Sequence, residues 1–152
     1  MEYSEKFKLR FLDLVSDLDC KKSQIHKILN IDYNVYIKIT EFGVIPKPTI
    51  LMRIADYFKI SIEYLLARSN EINFYKSEKP LEFLDRYNAL KIEYNLTDYA
   101  IAQKLHITTS YTTNWKKKQY FPSIINIIEL SEIFHVSIDY LLGRTDDKTI
   151  YK

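Results

Sequence analysis

The sequence predicts an all-α fold built as two consecutive copies of one small domain. Three observations carry this expectation. Only 2 Gly and 4 Pro occur in 152 residues, which disfavours a turn-rich β architecture. Apolar residues recur at helical spacing, as in Phe7, Phe11, Leu14 and Val15. The chain also matches itself at one offset, that from Tyr64 to Tyr140, without a gap. The same offset pairs Pro46 with Pro122, Phe58 with Phe134, Phe11 with Tyr87 and Leu14 with Leu90. The run ISIEYLLARS ending the first half answers VSIDYLLGRT ending the second, the signature of an internal repeat. The expected organisation is a first domain at 1–68, a linker at 69–80, a second domain at 81–146 and a tail at 147–152.

Each copy divides into five helices. In the first, 5–17 carries the apolar stripe from Phe7 to Val15. A short helix at 23–29 follows, and Asn30 tolerates the left-handed turn after it. Asp32 is a good N-cap for a third helix reaching about residue 40. A fourth helix spans 48–58. Ser61 caps the fifth, with Glu63 favourably placed in its first turn. The second copy repeats the series at 81–93, 98–105, 109–117, 123–134 and 138–142. Thr97 and Thr108 are its expected caps. Tyr111, Thr112 and Trp115 are expected on the inner side of the third helix, and Thr109, Ser110, Thr113 and Asn114 on the outer side. Asn95 and His106 stand at turns, and His106 suits a left-handed turn poorly. The polar segment 69–80 has no helical pattern and reads as the linker.

Composition narrows the function classes. A hydrophobic fraction of 47% is that of a globular chain. The single Cys20 cannot form an internal disulfide, which fits a reducing, cytoplasmic setting. No apolar run has the length of a membrane span or signal peptide. The net charge of +2 is too small to announce a nucleic-acid binder, so local charge must carry that argument. An enzyme is not expected. His26, His106 and His135 lack metal-ligand spacing, and Gly43 and Gly143 alone cannot build a phosphate loop. No cofactor or metal is implied, and Cys20, which pairs with Leu96 in the repeat, reads as a core residue rather than a nucleophile.

The stretch LTDYAIAQKLHITTSYTTNWKKKQYFP, beginning at Leu96, places two short helices around a tight turn. Leu96-Thr97, Ala102, Leu105, Ile107-Thr108, Trp115, Pro122 and the ending Ser137-Ile138-Asp139-Tyr140-Leu141-Leu142-Gly143 resemble the phage repressor and Cro-type helix-turn-helix family, also called the xenobiotic-response-element family. The resemblance covers about 83–146. It implies two tandem lambda-repressor-like helix-turn-helix domains and a sequence-specific DNA-binding transcriptional regulator. By the same resemblance this would be a repressor of phage or mobile-element type, cytoplasmic and nucleoid-associated in a bacterium, with double-stranded DNA as its partner.

Carried over residue by residue, the resemblance places base-facing positions at Thr109, Ser110, Thr113 and Asn114. Asn can form a bidentate pair with adenine, and Ser and Thr can contact several bases. Lys116, Lys117 and Lys118 read as phosphate contacts. Trp115 reads as core. Asp98 departs from the family, which often places a phosphate-binding Gln there; a carboxylate repels phosphate but suits the helix dipole. It is expected to be structural, leaving Thr97 and Tyr99 to reach phosphate through their hydroxyls. In the first copy Lys21, Lys22 and Ser23 begin the second helix, and Tyr33, Asn34, Ile37 and Lys38 match the reading positions. With Tyr36, these make a more apolar face, open between DNA binding and protein binding, self-association included. The rival reading is an interaction module in which copy one binds a protein partner or mediates homodimerisation.

Overall fold

The structure is a computed structural model describing residues 1–117 and 120–151. Among these residues it is all-α, with ten helices and one isolated antiparallel bridge between Tyr3 and Val44. The chain divides into two compact units, one centred on Met1–Phe74 and the other on Tyr75–Ile150. The first holds α1 (Glu5–Ser16), α2 (Lys22–Ile28), α3 (Tyr33–Phe42), α4 (Pro48–Phe58) and α5 (Ile62–Leu65). The second holds α6 (Phe83–Glu93), α7 (Asp98–Lys104), α8 (Thr109–Trp115), α9 (Ile124–Ile133) and α10 (Ile138–Leu141). The starts of α2, α3, α4 and α5 keep the offset of the sequence repeat to those of α7, α8, α9 and α10.

In the first unit the Ser4 side chain accepts from the Phe7 amide and starts α1. Phe7, Phe11 and Val15 are buried on its inner side, and Ile25, Leu29, Ile39, Leu51, Ile54, Ile62 and Leu65 are buried with them in the core of the unit. Asp32 and Ser61 cap as expected, accepting from the Asn34 and Tyr64 amides. The helix α3 runs to Phe42, past the expected end, and Gly43 stops it in the left-handed region at φ 66°. A side chain at Gly43 would meet the Ser4 carbonyl at 2.8 Å. That close approach lets the Ser4 amide bond Gly43 O and the Ile45 amide bond Glu2 O, both at 2.8 Å.

The second unit closes on an aromatic cluster. Tyr87 and Phe134 are fully buried, and Phe83 stacks on Tyr87 at 5.5 Å between ring centres. Trp115 meets both Phe83 and Tyr87 edge-on. The entry to α6 differs from the expected start at residue 81: Glu82 and Asp85 form a reciprocal capping box, so the helix begins at Phe83. Asp139 and Arg144 form a buried ion pair. Glu63 and Arg68 occupy the matching positions of the first unit, bonded at 3.2 Å.

Two expected connectors are folded onto their units. Arg10 donates to Ser69 O and Asn70 Oδ1 in the first unit. In the second, Thr145 donates to Tyr75 O, Ser77 donates through its amide to Arg144 O and through its hydroxyl to Asp146, and the Leu81 amide bonds Gly143 O. The stretch read as a linker is therefore held by hydrogen bonds at both ends, even without a helical pattern. The start of the expected tail is held too, since Ser137 donates to Lys148 O and Asp147 O.

Candidate nucleic-acid interface

The turn between α7 and α8 is set by backbone hydrogen bonds. His106 adopts φ 55°, in the left-handed region. Its amide bonds Gln103 O and the Ile107 amide bonds Ala102 O, the pair that defines a Schellman stop. Asn30 makes the same turn at φ 53°, with its amide on Lys27 O and that of Ile31 on His26 O. A histidine therefore takes the conformation that its side chain disfavours, because two hydrogen bonds and the burial of Leu105 behind it hold the turn.

From this turn α8 runs for seven residues. Thr112 and Trp115 are buried beneath it, and the Thr112 hydroxyl is satisfied on Thr109 O. Thr109, Ser110 and Thr113 are exposed and Asn114 is half-buried. Three expectations for this helix fail. Tyr111 is 56% exposed instead of packing inward. The Thr112 position faces the core, and the neighbouring residue on a helix is rotated well off that face. Thr108 does not cap α8 through its side chain, because its hydroxyl is 2.6 Å from that of Ser110 instead. The helix also ends at Trp115, short of the expected residue 117.

At the start of α7 the Thr97 hydroxyl accepts from the Ala100 amide, as a cap. Tyr99 is exposed and its hydroxyl accepts from Gln103 at 2.7 Å. Asp98 is the hub. Its Oδ1 accepts from the Tyr87 hydroxyl at 2.8 Å and from Lys91 at 2.7 Å, and its Oδ2 meets Lys116 at 2.6 Å. Burial alone would raise its pKa, but the hydrogen bonds from Lys116, Lys91 and Tyr87 outweigh this and hold the carboxyl at about 2. Burial and the adjacent carboxylate push the Tyr87 phenol well above its ordinary range. Lys116 is thus paired within the fold, while Lys117 is exposed beside it. Lys118 lies outside the described residues.

The sequence marks Asp98 as structural but does not identify Tyr87 and Lys91 as its partners. The available signal was the hydroxyl of Tyr87 at a core position where the first copy has Phe11, since a buried phenol calls for a hydrogen-bond partner.

In the first unit Lys21, Lys22 and Ser23 are exposed at the start of α2, and Tyr33, Asn34 and Lys38 are exposed on α3, with Ile37 half-buried. Tyr36 does not belong to that face. It is 7% exposed and packs edge-on against Phe11, because position 36 is the counterpart of buried Thr112. Cys20 is half-buried rather than core. It lines a groove of about 740 Å³ with Leu12, Val15, Ile25, Tyr33 and Ile37. Among the described residues no cluster of His, Cys, Asp or Glu could hold a metal ion, and no helix is long and apolar enough to cross a membrane.

No protein-family model matches the chain, and no solved structure matches it to significance. One similarity to a curated protein stands out: the chain is 29% identical over 65 residues to an uncharacterized HTH-type transcriptional regulator, YobD, of Bacillus subtilis (strain 168). The match covers 43% of this chain and 58% of that protein, so the shared stretch is somewhat over half the relative's length and has the extent of a single unit.

Proposed function

We propose that the chain is a sequence-specific DNA-binding transcriptional regulator, made of two tandem lambda-repressor-like helix-turn-helix domains and acting as a repressor of phage or mobile-element type in a bacterial cytoplasm. The observation that carries the reading is α8: buried Thr112 and Trp115 anchor a seven-residue helix whose other side offers Thr109, Ser110, Thr113 and Asn114. A short anchored helix with small polar side chains outward fits a major groove. The Schellman stop at His106 and the similarity to an HTH-type regulator support it independently. In this reading Thr109 to Asn114 meet base edges. Lys117 and Lys118 lie on phosphates, and the hydroxyls of Thr97 and Tyr99 flank the backbone. Mapping amide-proton protection on adding duplex DNA tests it. Protection centred on α7 and α8 is the expected result, and protection confined to other helices would sink the proposal.

A second reading applies to the first unit. Exposed Tyr33 and half-buried Ile37 border an apolar groove, which suits a protein partner or a second copy of the chain better than a phosphate backbone. Ile37→Asp should then abolish self-association or partner capture without altering the DNA sequence bound. A change in the bound sequence would instead put this helix on DNA.

A further inference from the structure

We propose that Asp98 is a positioning residue that sets the specificity of the α8 interface by withholding Lys116 from the DNA backbone; this rests on the DNA-binding reading above. The carboxylate takes one bond from each of three donors, Tyr87 and Lys91 on α6 and Lys116 at the C-terminal end of α8. It therefore ties the end of α8 to the scaffold. It also neutralises the lysine closest to the reading helix, since Lys116 remains half-exposed while its ammonium sits 2.6 Å from the acid.

The first unit forms its five helices without this hub. At the positions matching Tyr87, Lys91, Asp98 and Lys116 it carries Phe11, Val15, Lys22 and Thr40, yet α2, α3, α4 and α5 start at the same offset from α7, α8, α9 and α10. A hub that the first unit lacks, placed where the reading helix of the second meets its scaffold, points to a role in the interface beyond its share of the stability. Non-specific binding is governed by the number of phosphates neutralised, whereas base contacts decide sequence. Holding one lysine back weakens binding to every duplex while fixing the pose from which Thr113 and Asn114 read. This is discrimination by a repulsive element as well as an attractive one.

The test uses the full chain and two variants, titrated with random-sequence duplex over a range of salt concentrations. Asp98→Asn leaves Lys116 unpaired, so the log–log salt slope should steepen by about 0.9 for each lysine that engages a phosphate. The ratio of affinities for preferred and random duplex should fall. Lys116→Gln should leave the slope unchanged, because that charge is already spoken for. A slope that stays constant in Asp98→Asn, or one that flattens by about one in Lys116→Gln, overturns the proposal. Should Asp98→Asn lose helicity, the Lys116→Gln arm decides. If the unaltered chain binds no duplex, the DNA reading fails and this inference with it, whereas duplex binding with the wrong variant slopes defeats the inference alone.

Discussion

Replacing Gly143 with Ala should unfold the second unit far more easily, and the structure sets the size of the effect. Gly143 sits at φ 75°, and an added Cβ would lie 1.8 Å from Leu81 O and 2.5 Å from its carbonyl carbon. These are backbone atoms, fixed in turn by the Leu81 amide on Gly143 O at 3.1 Å and the Ser77 amide on Arg144 O at 2.9 Å. The chain entering α6 must move away. A left-handed residue bearing a Cβ costs about 1–2 kcal/mol, and the lost backbone bond adds about 1 kcal/mol. The sum, about 2–3 kcal/mol, corresponds to a fall of roughly 10–20 °C in the melting temperature of a unit this size. Trp115, the sole tryptophan, is buried in the second unit and reports its unfolding by fluorescence. The first unit supplies the control. Ala67 occupies the matching position at φ 56° and already carries a Cβ. Ala67→Gly relieves the left-handed penalty and adds only about 0.4–1 kcal/mol of chain entropy, so it should be neutral or mildly stabilising by circular dichroism. Gly143→Ala within about 0.5 kcal/mol of the unaltered chain, the range of an ordinary surface substitution, would refute the reasoning.

Further outcomes concern the proposed interface and its hub. Asn114→Ala should relax base preference, with a loss of about 1–3 kcal/mol on the preferred duplex; equal loss on all duplexes would remove Asn114 as a reader. Lys117→Ala should weaken binding to all sequences and flatten the salt slope by about 0.9, and an unaltered slope would place it off the DNA. Stability should depend on Asp98 in acid. Its folded pKa of about 2 lies below the ordinary 3.8, so the unfolded chain takes up the proton first as pH falls. The contribution, about 2 kcal/mol, is complete above pH 4 and lost between about pH 4 and pH 2. Asp98→Asn should lack this component in urea unfolding followed across that range, and identical pH profiles would show that the carboxylate is not held as described.

The helices and several of their caps were legible in the sequence because they depend on neighbours. Asp32, Ser61 and Thr97 cap through bonds two or three residues away. What the sequence concealed depends on packing between helices. From the sequence Tyr111 is expected inward and Tyr36 on the outer face, and the structure reverses both, because on short helices apolarity alone is a poor guide to side. The repeat held the missing information: position 36 pairs with position 112, and both are buried. The Asp98 hub joins α6, α7 and α8 through residues 7 to 18 positions away from it, beyond any local pattern. The two residues by which α3 outruns its expected end lead to Gly43, which approaches Ser4 closely, a contact that spacing within the helix does not foretell. Among the site residues, Thr109, Ser110 and Thr113 were placed outward by their periodicity alone, while Lys116 needed the structure to show that its charge is paired.

The most direct measurement is selection of bound duplexes from a random pool by the full chain at physiological salt. The account expects enrichment of a defined motif, with its preference relaxed by Asn114→Ala. A pool that returns no sequence above background would contradict the central claim that α8 reads DNA.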